Sequence, residues 1–220
     1  MRSHGALAVA LLLVAPGRGG AGELTGSVRY GGPASAPGTI PTTKDRAVCG
    51  ETIEEESLVV AGDRVANAVV VVKGAPAAPP VRATLDQERC RYRPHVQAVP
   101  VGSTLDITNG DPLLHSVHGW SGHVTRFDIV TPSRGMRVPT RLDKPGLIQV
   151  RCDVHAWMVA YVLVVEGPAT VTGRDGAFAI HDLPAGKYVV TTWHERLGEK
   201  RAEVTVPARG EVRLDVSYGP

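Results

Sequence analysis

Residues 147–165 read LIQVRCDVHAWMVAYVLVV. Two apolar runs rich in β-branched residues, Leu147–Val150 and Val159–Val165, stand on either side of Cys152–Met158. Runs of this length and composition form strands, so two strands joined by a short loop are expected here. Working outward, the same kind of run recurs at Ser57–Ala61, Ala66–Val72, Thr104–Thr108, Tyr188–Trp193 and Val212–Val216. Turn signals separate them: Ala61-Gly62-Asp63, Lys73-Gly74, Asn109-Gly110-Asp111, Lys144-Pro145-Gly146 and Arg174-Asp175-Gly176. No window of 12 or more residues sustains a helical period. Short strands at this spacing build sandwiches or barrels, and the expected fold class is all-β. Ala75-Pro76-Ala77-Ala78-Pro79-Pro80 is expected to be an extended surface loop, because consecutive prolines remove ladder donors.

A boundary is expected near Glu166-Gly167-Pro168. Before it runs MVAYVLVVE, apolar enough for a closing central strand; after it, ATVTGRDGAFAIHDLPAGKYVVTTWHE reads as a fresh start. Asp175-Gly176 suggests a tight hairpin turn, and Pro184-Ala185-Gly186 a second turn before an alternating strand. The last ~50 residues have room for four or five strands of ordinary length. That is marginal for independent stability, so packing against the preceding domain is expected. The division is therefore 23–166 for one domain and 167–220 for a smaller one.

The N-terminus has the pattern of an export signal over residues 1–22. Met1 and Arg2 precede an apolar run, Ala6–Ala15, and a small-residue zone around Gly19–Gly22. About ten apolar residues cannot cross a ~30 Å hydrocarbon core, and no other stretch approaches the length of a transmembrane helix. The chain carries 24 basic and 22 acidic residues, a net charge of +2. Arg2 and Arg18 lie within the signal, which contains no acid, so the remainder is balanced. A neutral chain has no basic stripe for nucleic acid. Export places the protein in the periplasm or outside the cell, where disulfides persist.

The chemistry concentrates in Cys152, His155 and Met158, spaced C-x-x-H-x-x-M on one loop. A thiolate, an imidazole and a thioether form a soft donor set that suits copper in both oxidation states and suits zinc poorly. A trigonal His₂Cys site with a weak axial Met is the blue-copper arrangement, and only a second histidine is missing. DITNGDPLLHSVHGW, residues 106–120, offers His115 and His118. On an extended strand, residues three apart point to opposite faces, so the two cannot easily share one ion. His115 follows the apolar pair Leu113-Leu114 and is the choice; His118, next to Gly119, is the alternative.

NGDPLLHSVH (109–118), Pro145-Gly146 and CDVHAWM (152–158) together resemble the cupredoxin family, with a ligand loop most similar to that of amicyanin. The resemblance covers roughly residues 95–166. It implies a Greek-key β-sandwich holding one type 1 copper, with His115, Cys152 and His155 as equatorial ligands and Met158 as the weak axial one. It implies one-electron transfer between redox partner proteins and no enzymatic reaction. The segment DGAFAIHDLPAGKYVV (175–190) is similar to transthyretin-like or carboxypeptidase-regulatory β-sandwich domains, a likeness that implies fold and little about function. Many cupredoxins place Asn after the first histidine, where it ties the ligand loops together; Ser116 stands there in this chain and, being shorter, is expected to bridge less firmly. Asp153, beside the thiolate, is expected to stabilise the oxidised site and lower its potential.

Committing Cys152 to copper leaves Cys49 and Cys90. Bridged, they close a loop of about 40 residues and contribute ~4 kcal/mol in the chain-entropy model; the alternative is two free thiols. His95, His118 and His123 raise the question of a second copper site, against the commoner reading as surface residues. His181 and His194 read as structural. His155 is expected to carry electrons toward a partner docking near His155 and Trp157; Trp157 could equally be a lid that keeps water off the metal. No C-x-x-C-H occurs, which excludes a c-type haem, and no acid is visibly placed to orient Cys152 and His155 for nucleophilic catalysis. Two other functions stay open: a periplasmic copper carrier or storage protein using the same ligands, and a metal-free carbohydrate-binding or adhesion sandwich.

Overall fold

The computed structural model describes residues 21–33 and 38–219. Residues 1–20 of the expected export signal lie outside the described residues, while Ala21 and Gly22 open the first strand. Almost all regular structure is β, as the short β-branched runs require, and it is arranged as two sandwiches.

The first sandwich is built from residues 82–165. One sheet orders Val124–Thr131, His115–Ser121, Gly146–Arg151, Val159–Val165 and Val96–Pro100; the other orders Arg137–Leu142, Ser103–Thr108, Arg82–Gln87 and the short Tyr92–Arg93. Between them lies a core of Leu85, Leu105, Ile107, Val117, Ile148, Val150 and Val162, to which Cys152 and Met158 belong. The two runs that flank the ligand loop pair antiparallel along their whole length, from Gly146 opposite Val164 to Arg151 opposite Val159. Cys152–Met158 is therefore the closed end of a hairpin, pinned by the Met158 amide donating to the His155 carbonyl at 2.9 Å.

The second sandwich is assembled from both ends of the chain. Ala21–Tyr30 runs parallel to Gly210–Tyr218 and antiparallel to Ala177–Pro184, with Val60–Ala61 and Arg64–Val65 completing the sheet. Val69–Lys73 lies between Ala169–Val171 and Gly186–His194, which in turn pairs with Gly198–Val206. Residues 23–166 and 167–220 therefore do not separate as two consecutive domains: strands from 21–73 share both sheets with strands from 169–218, and residues 82–165 are inserted between them. The turn at 166–168 is present, but β-pairing is non-local, and no local pattern states which strand a given strand will join. Gly26 is one point where this pairing is specified, since a Cβ there would lie 1.8 Å from the Leu214 carbonyl oxygen. The five strands after residue 168 agree with the expected number. The Asp175-Gly176 turn, however, links strands of different sheets and is not a hairpin, because Ala169–Val171 pairs with Val69–Lys73.

Four consecutive valines, Val69–Val72, are all buried. Val70 and Val72 face the core of the second sandwich, while Val69 and Val71 pack with Val96, Val165 and Trp193 between the two sandwiches. A strand covered on both faces reads as a continuous apolar run and not an alternating one.

Residues 38–54 leave the second sandwich and cross to the end of the first. Thr39–Pro41 pairs with Thr52–Glu54, and a short helix, Arg46–Cys49, lies between them. Cys49 forms a disulfide with Cys90, and Val48 and Cys49 join the core of the first sandwich. This strap reaches the ligand loop.

Ending the chain at Glu166 should leave Ala21–Tyr30 and Val69–Lys73 without their sheet partners. Limited proteolysis of that truncated protein should cut within residues 21–73 while sparing 82–165; protection of 21–73 equal to that in the full chain would contradict the insertion.

Candidate metal centre

His115 begins its strand directly after the Asp111–Leu114 turn, and Cys152 and His155 come from the hairpin end. One ring nitrogen of each histidine and the Cys152 Sγ lie within 4.8 Å of one another, and all three residues are buried. Met158, on the same loop, is 1% exposed. The structure brings His115 to Cys152 and His155 and turns His118 away: His118 stacks on Trp120 and approaches Thr125 Oγ1 at 3.3 Å and Asp153 at 3.6 Å.

The two imidazoles meet through their Nδ1 atoms at 3.0 Å. Their other nitrogens point to carboxylates: His115 Nε2 lies 3.0 Å from Asp111 Oδ2, and His155 Nε2 lies 2.9 Å from Asp45 Oδ2. A carboxylate accepts, so each Nε2 carries a hydrogen and each Nδ1 is left for the shared contact. The two Nδ1 atoms, 3.0 Å apart, are the ring nitrogens left to face a shared cation. Burial disfavours charge on His115, but Cys152 and Asp111 outweigh it and raise the pKa of the ring. Burial likewise opposes ionisation of Cys152; the adjacent His115 ring and the amides of Ser116 and His155 overcome it and bring the thiol down to about 6.

Each carboxylate is itself held. Asp111 accepts the Arg89 amide at 2.7 Å and the Cys90 amide at 2.8 Å, besides His115. Arg89 and Cys90 both have positive φ, 50° and 56°, a conformation non-glycine residues rarely adopt, and it aims two successive N–H groups at one carboxylate. Asp45 is the residue before the strap helix and also has a left-handed backbone, φ 52°. Its side chain makes no cap bond to that helix and reaches His155 instead. Neither carboxylate was identified from the sequence. Asn109-Gly110-Asp111 reads as a turn signal alone, and Asp45 has only its nearness to Cys49 to mark it.

Ser116 bridges the two ligand segments firmly despite its short side chain. Its amide donates to Cys152 Sγ at 3.4 Å, and its hydroxyl accepts the Asp153 amide at 2.7 Å and reaches the Asp153 carboxylate at 3.2 Å. The hairpin end lies close enough that a serine suffices.

His155 has no exposed surface, so the expected docking contact on His155 itself is not available. The strap covers the ring, and Asp45 occupies the nitrogen that would face outward. Trp157, half-buried, has its ring 5.2 Å from that of His155 and donates its indole N–H to the Cys90 carbonyl at 3.2 Å. The remaining described histidines lie elsewhere. His95 is bonded to Glu195 and to the Val159 carbonyl, His123 is exposed and His181 pairs with Glu23. His194 is buried, which pulls its pKa down to about 4. Among the described residues, His95 and His123 join no cluster of potential ligands.

No family model matches the sequence, and no curated protein does. Solved structures align with parts of it. The copper-containing nitrite reductase NirK from Thermus scotoductus SA-01 is 22% identical over 50% of this chain and 25% of its own, with a TM-score of 0.34, so the chain spans about a quarter of that protein. A purple cupredoxin from Nitrosopumilus maritimus is 22% identical over 38% of this chain and 99% of its own, TM-score 0.33. Amicyanin from Paracoccus versutus is 17% identical over 44% of this chain and 97% of its own, TM-score 0.35. At these values the functional reading rests on the site itself.

With Cys152 ionising near pH 6 instead of the ordinary 9.0, thiolate absorbance of protein stripped of metal should rise with a midpoint near pH 6. It should be lost in Cys152→Ser. A midpoint at the ordinary thiol value would show that the Cys152 surroundings do not hold the thiolate.

Proposed function

We propose that this chain is an exported type 1 copper protein that passes single electrons between partner proteins, with His115, Cys152 and His155 as equatorial ligands and Met158 as the axial one. One observation carries the reading: two imidazole Nδ1 atoms and a thiol of lowered pKa converge in a buried pocket, and each imidazole is oriented by its own carboxylate. The donor set fits copper, since thiolate, imidazole and thioether together are the ligands of blue-copper sites. Copper bound there would supply a one-electron couple.

The residues supply the rest. Asp111 and Asp45 keep both rings in the tautomer that presents Nδ1. The Ser116 and His155 amides, each 3.4 Å from Cys152 Sγ, withdraw charge from the sulfur. The hairpin, the strap and the Cys49–Cys90 disulfide hold the donors from three directions, so the geometry changes little when charge does. Because His155 is covered, the partly exposed ring nearest to it is Trp157, and a redox partner docks there in this reading. No bond in a substrate is made or broken. The disulfide fits an oxidising compartment such as the periplasm.

The complete burial of His155 also favours a second reading, a copper carrier or storage protein with the same ligands, because a covered ligand suits retention as well as rapid exchange of electrons.

Adding Cu(II) to the purified protein should give an intense visible thiolate-to-copper band that disappears in Cys152→Ala and His115→Ala and survives in His118→Ala. Asp45→Asn should weaken copper affinity by ~10–100-fold in chelator competition, the usual effect of losing a ligand-orienting partner. Binding with only weak colour would favour the carrier, and no binding would reject both readings.

A further inference from the structure

The metal centre contains more sulfur than the C-x-x-H-x-x-M loop provides. The Sγ atoms of Cys49 and Cys90 and a ring nitrogen of His155 lie within 4.8 Å of one another, and Cys90 Sγ lies within the same distance of donors on Asp111 and His115. All of these residues are buried in the first sandwich. The disulfide thus stands against the same two imidazoles that meet Cys152, and His155 is common to both groups. As a disulfide the two sulfurs are neutral and poor donors. As thiolates they would complete, with His155, a compact set of two thiolates and one imidazole.

We propose that the Cys49–Cys90 disulfide masks a second soft-metal site, and that its reduction creates a three-coordinate Cu(I) site made of Cys49, Cys90 and His155. Two thiolates and an imidazole select a soft cation, and the conditions that open a disulfide also hold copper as Cu(I). The proposal rests on the copper reading only in taking His155 as a metal donor; it requires neither a blue site nor electron transfer.

The structure also offers a route for the reductant. A cavity of about 690 Å³ lies over Cys49, lined by Arg46, Arg89, Arg91 and Arg93 together with Glu54 and Glu88, whereas Cys90 is 0% exposed. A reductant therefore reaches the bond from the Cys49 side. With a dithiol, one thiolate of the reductant bonds to Cys49 Sγ, the S–S bond breaks and Cys90 leaves as a thiolate that takes a proton. The second thiol of the reductant then attacks the mixed disulfide and frees Cys49. The reductant departs as a disulfide, and the two electrons it lost reside on the cysteine pair. Binding of Cu(I) then displaces the two thiol protons.

The test removes the primary thiol. Cys152→Ser protein is reduced anaerobically with a water-soluble tricarboxylate phosphine, which takes one oxygen from water and becomes the phosphine oxide, and is then freed of reagent. Cu(I) is titrated against a chromogenic chelator. The reduced variant should bind one equivalent of Cu(I), with two thiols lost to thiol reagent on binding, and the oxidised variant should bind at least about tenfold more weakly. Adding His155→Ala should lower the affinity of the reduced protein by at least about tenfold, which thiols on an unfolded chain would not show. Equal Cu(I) binding by oxidised and reduced Cys152→Ser, or binding indifferent to His155→Ala, would overturn the proposal. The copper reading fails separately, by absence of the visible band in oxidised wild-type protein.

Discussion

His115 and His155 have no contact with solvent, so their four ring nitrogens must find partners inside the protein or leave costly unpaired groups. The structure meets this demand in one chain of contacts: Asp111 to His115, His115 to His155, His155 to Asp45. Each link calls on a different part of the fold. Asp111 needs the loop whose Arg89 and Cys90 amides hold it, and Asp45 needs the strap that crosses from the other sandwich. The burial that makes this chain necessary is what fixes the tautomers and orients both Nδ1 atoms toward Cys152.

The disulfide belongs to the same arrangement. Cys49 ends the strap helix, Cys90 donates its amide to Asp111, and the Trp157 indole donates to the Cys90 carbonyl. The covalent link therefore joins the two carriers of the carboxylates, one residue from the amide donor Arg89 on one side and four residues from Asp45 on the other. The candidate site is closed by the polypeptide and not left at a rim. Trp157, half-buried, has its ring 5.2 Å from that of the fully buried His155.

The strap also ties the site to the second sandwich. Its residues leave the sheet of Ala21–Tyr30 and return to it at Val60–Val65, so the part of the chain that covers His155 is anchored in a domain completed by the last 50 or so residues. Val69 and Val71 seal the two sandwiches along their contact with Trp193, Val96 and Val165. The C-terminal strands thus support the cover over His155 without contributing a residue to it.

The sequence alone determined the class of fold and the grouping of Cys152, His155 and Met158 on one loop, because both are local. Strand length, β-branching and turn residues are read within a few positions, and Cys152, His155 and Met158 fall within one turn between two strands. Strand alternation argues only that His115 and His118 do not share one site, the apolar pair Leu113-Leu114 favours His115, and the pairing of Cys49 with Cys90 follows once Cys152 is set aside for the metal. Tertiary structure decided the rest. That residues 21–73 pair with 169–218 depends on contacts spanning most of the chain, which no short pattern encodes. That Asp45 turns from its helix to His155, that Asp111 gathers two left-handed amides, and that the disulfide stands against the imidazoles depend on where separate loops arrive in space. Burial of His155 is the sum of those arrivals, and a loop position in sequence carries no information about what will be laid over it.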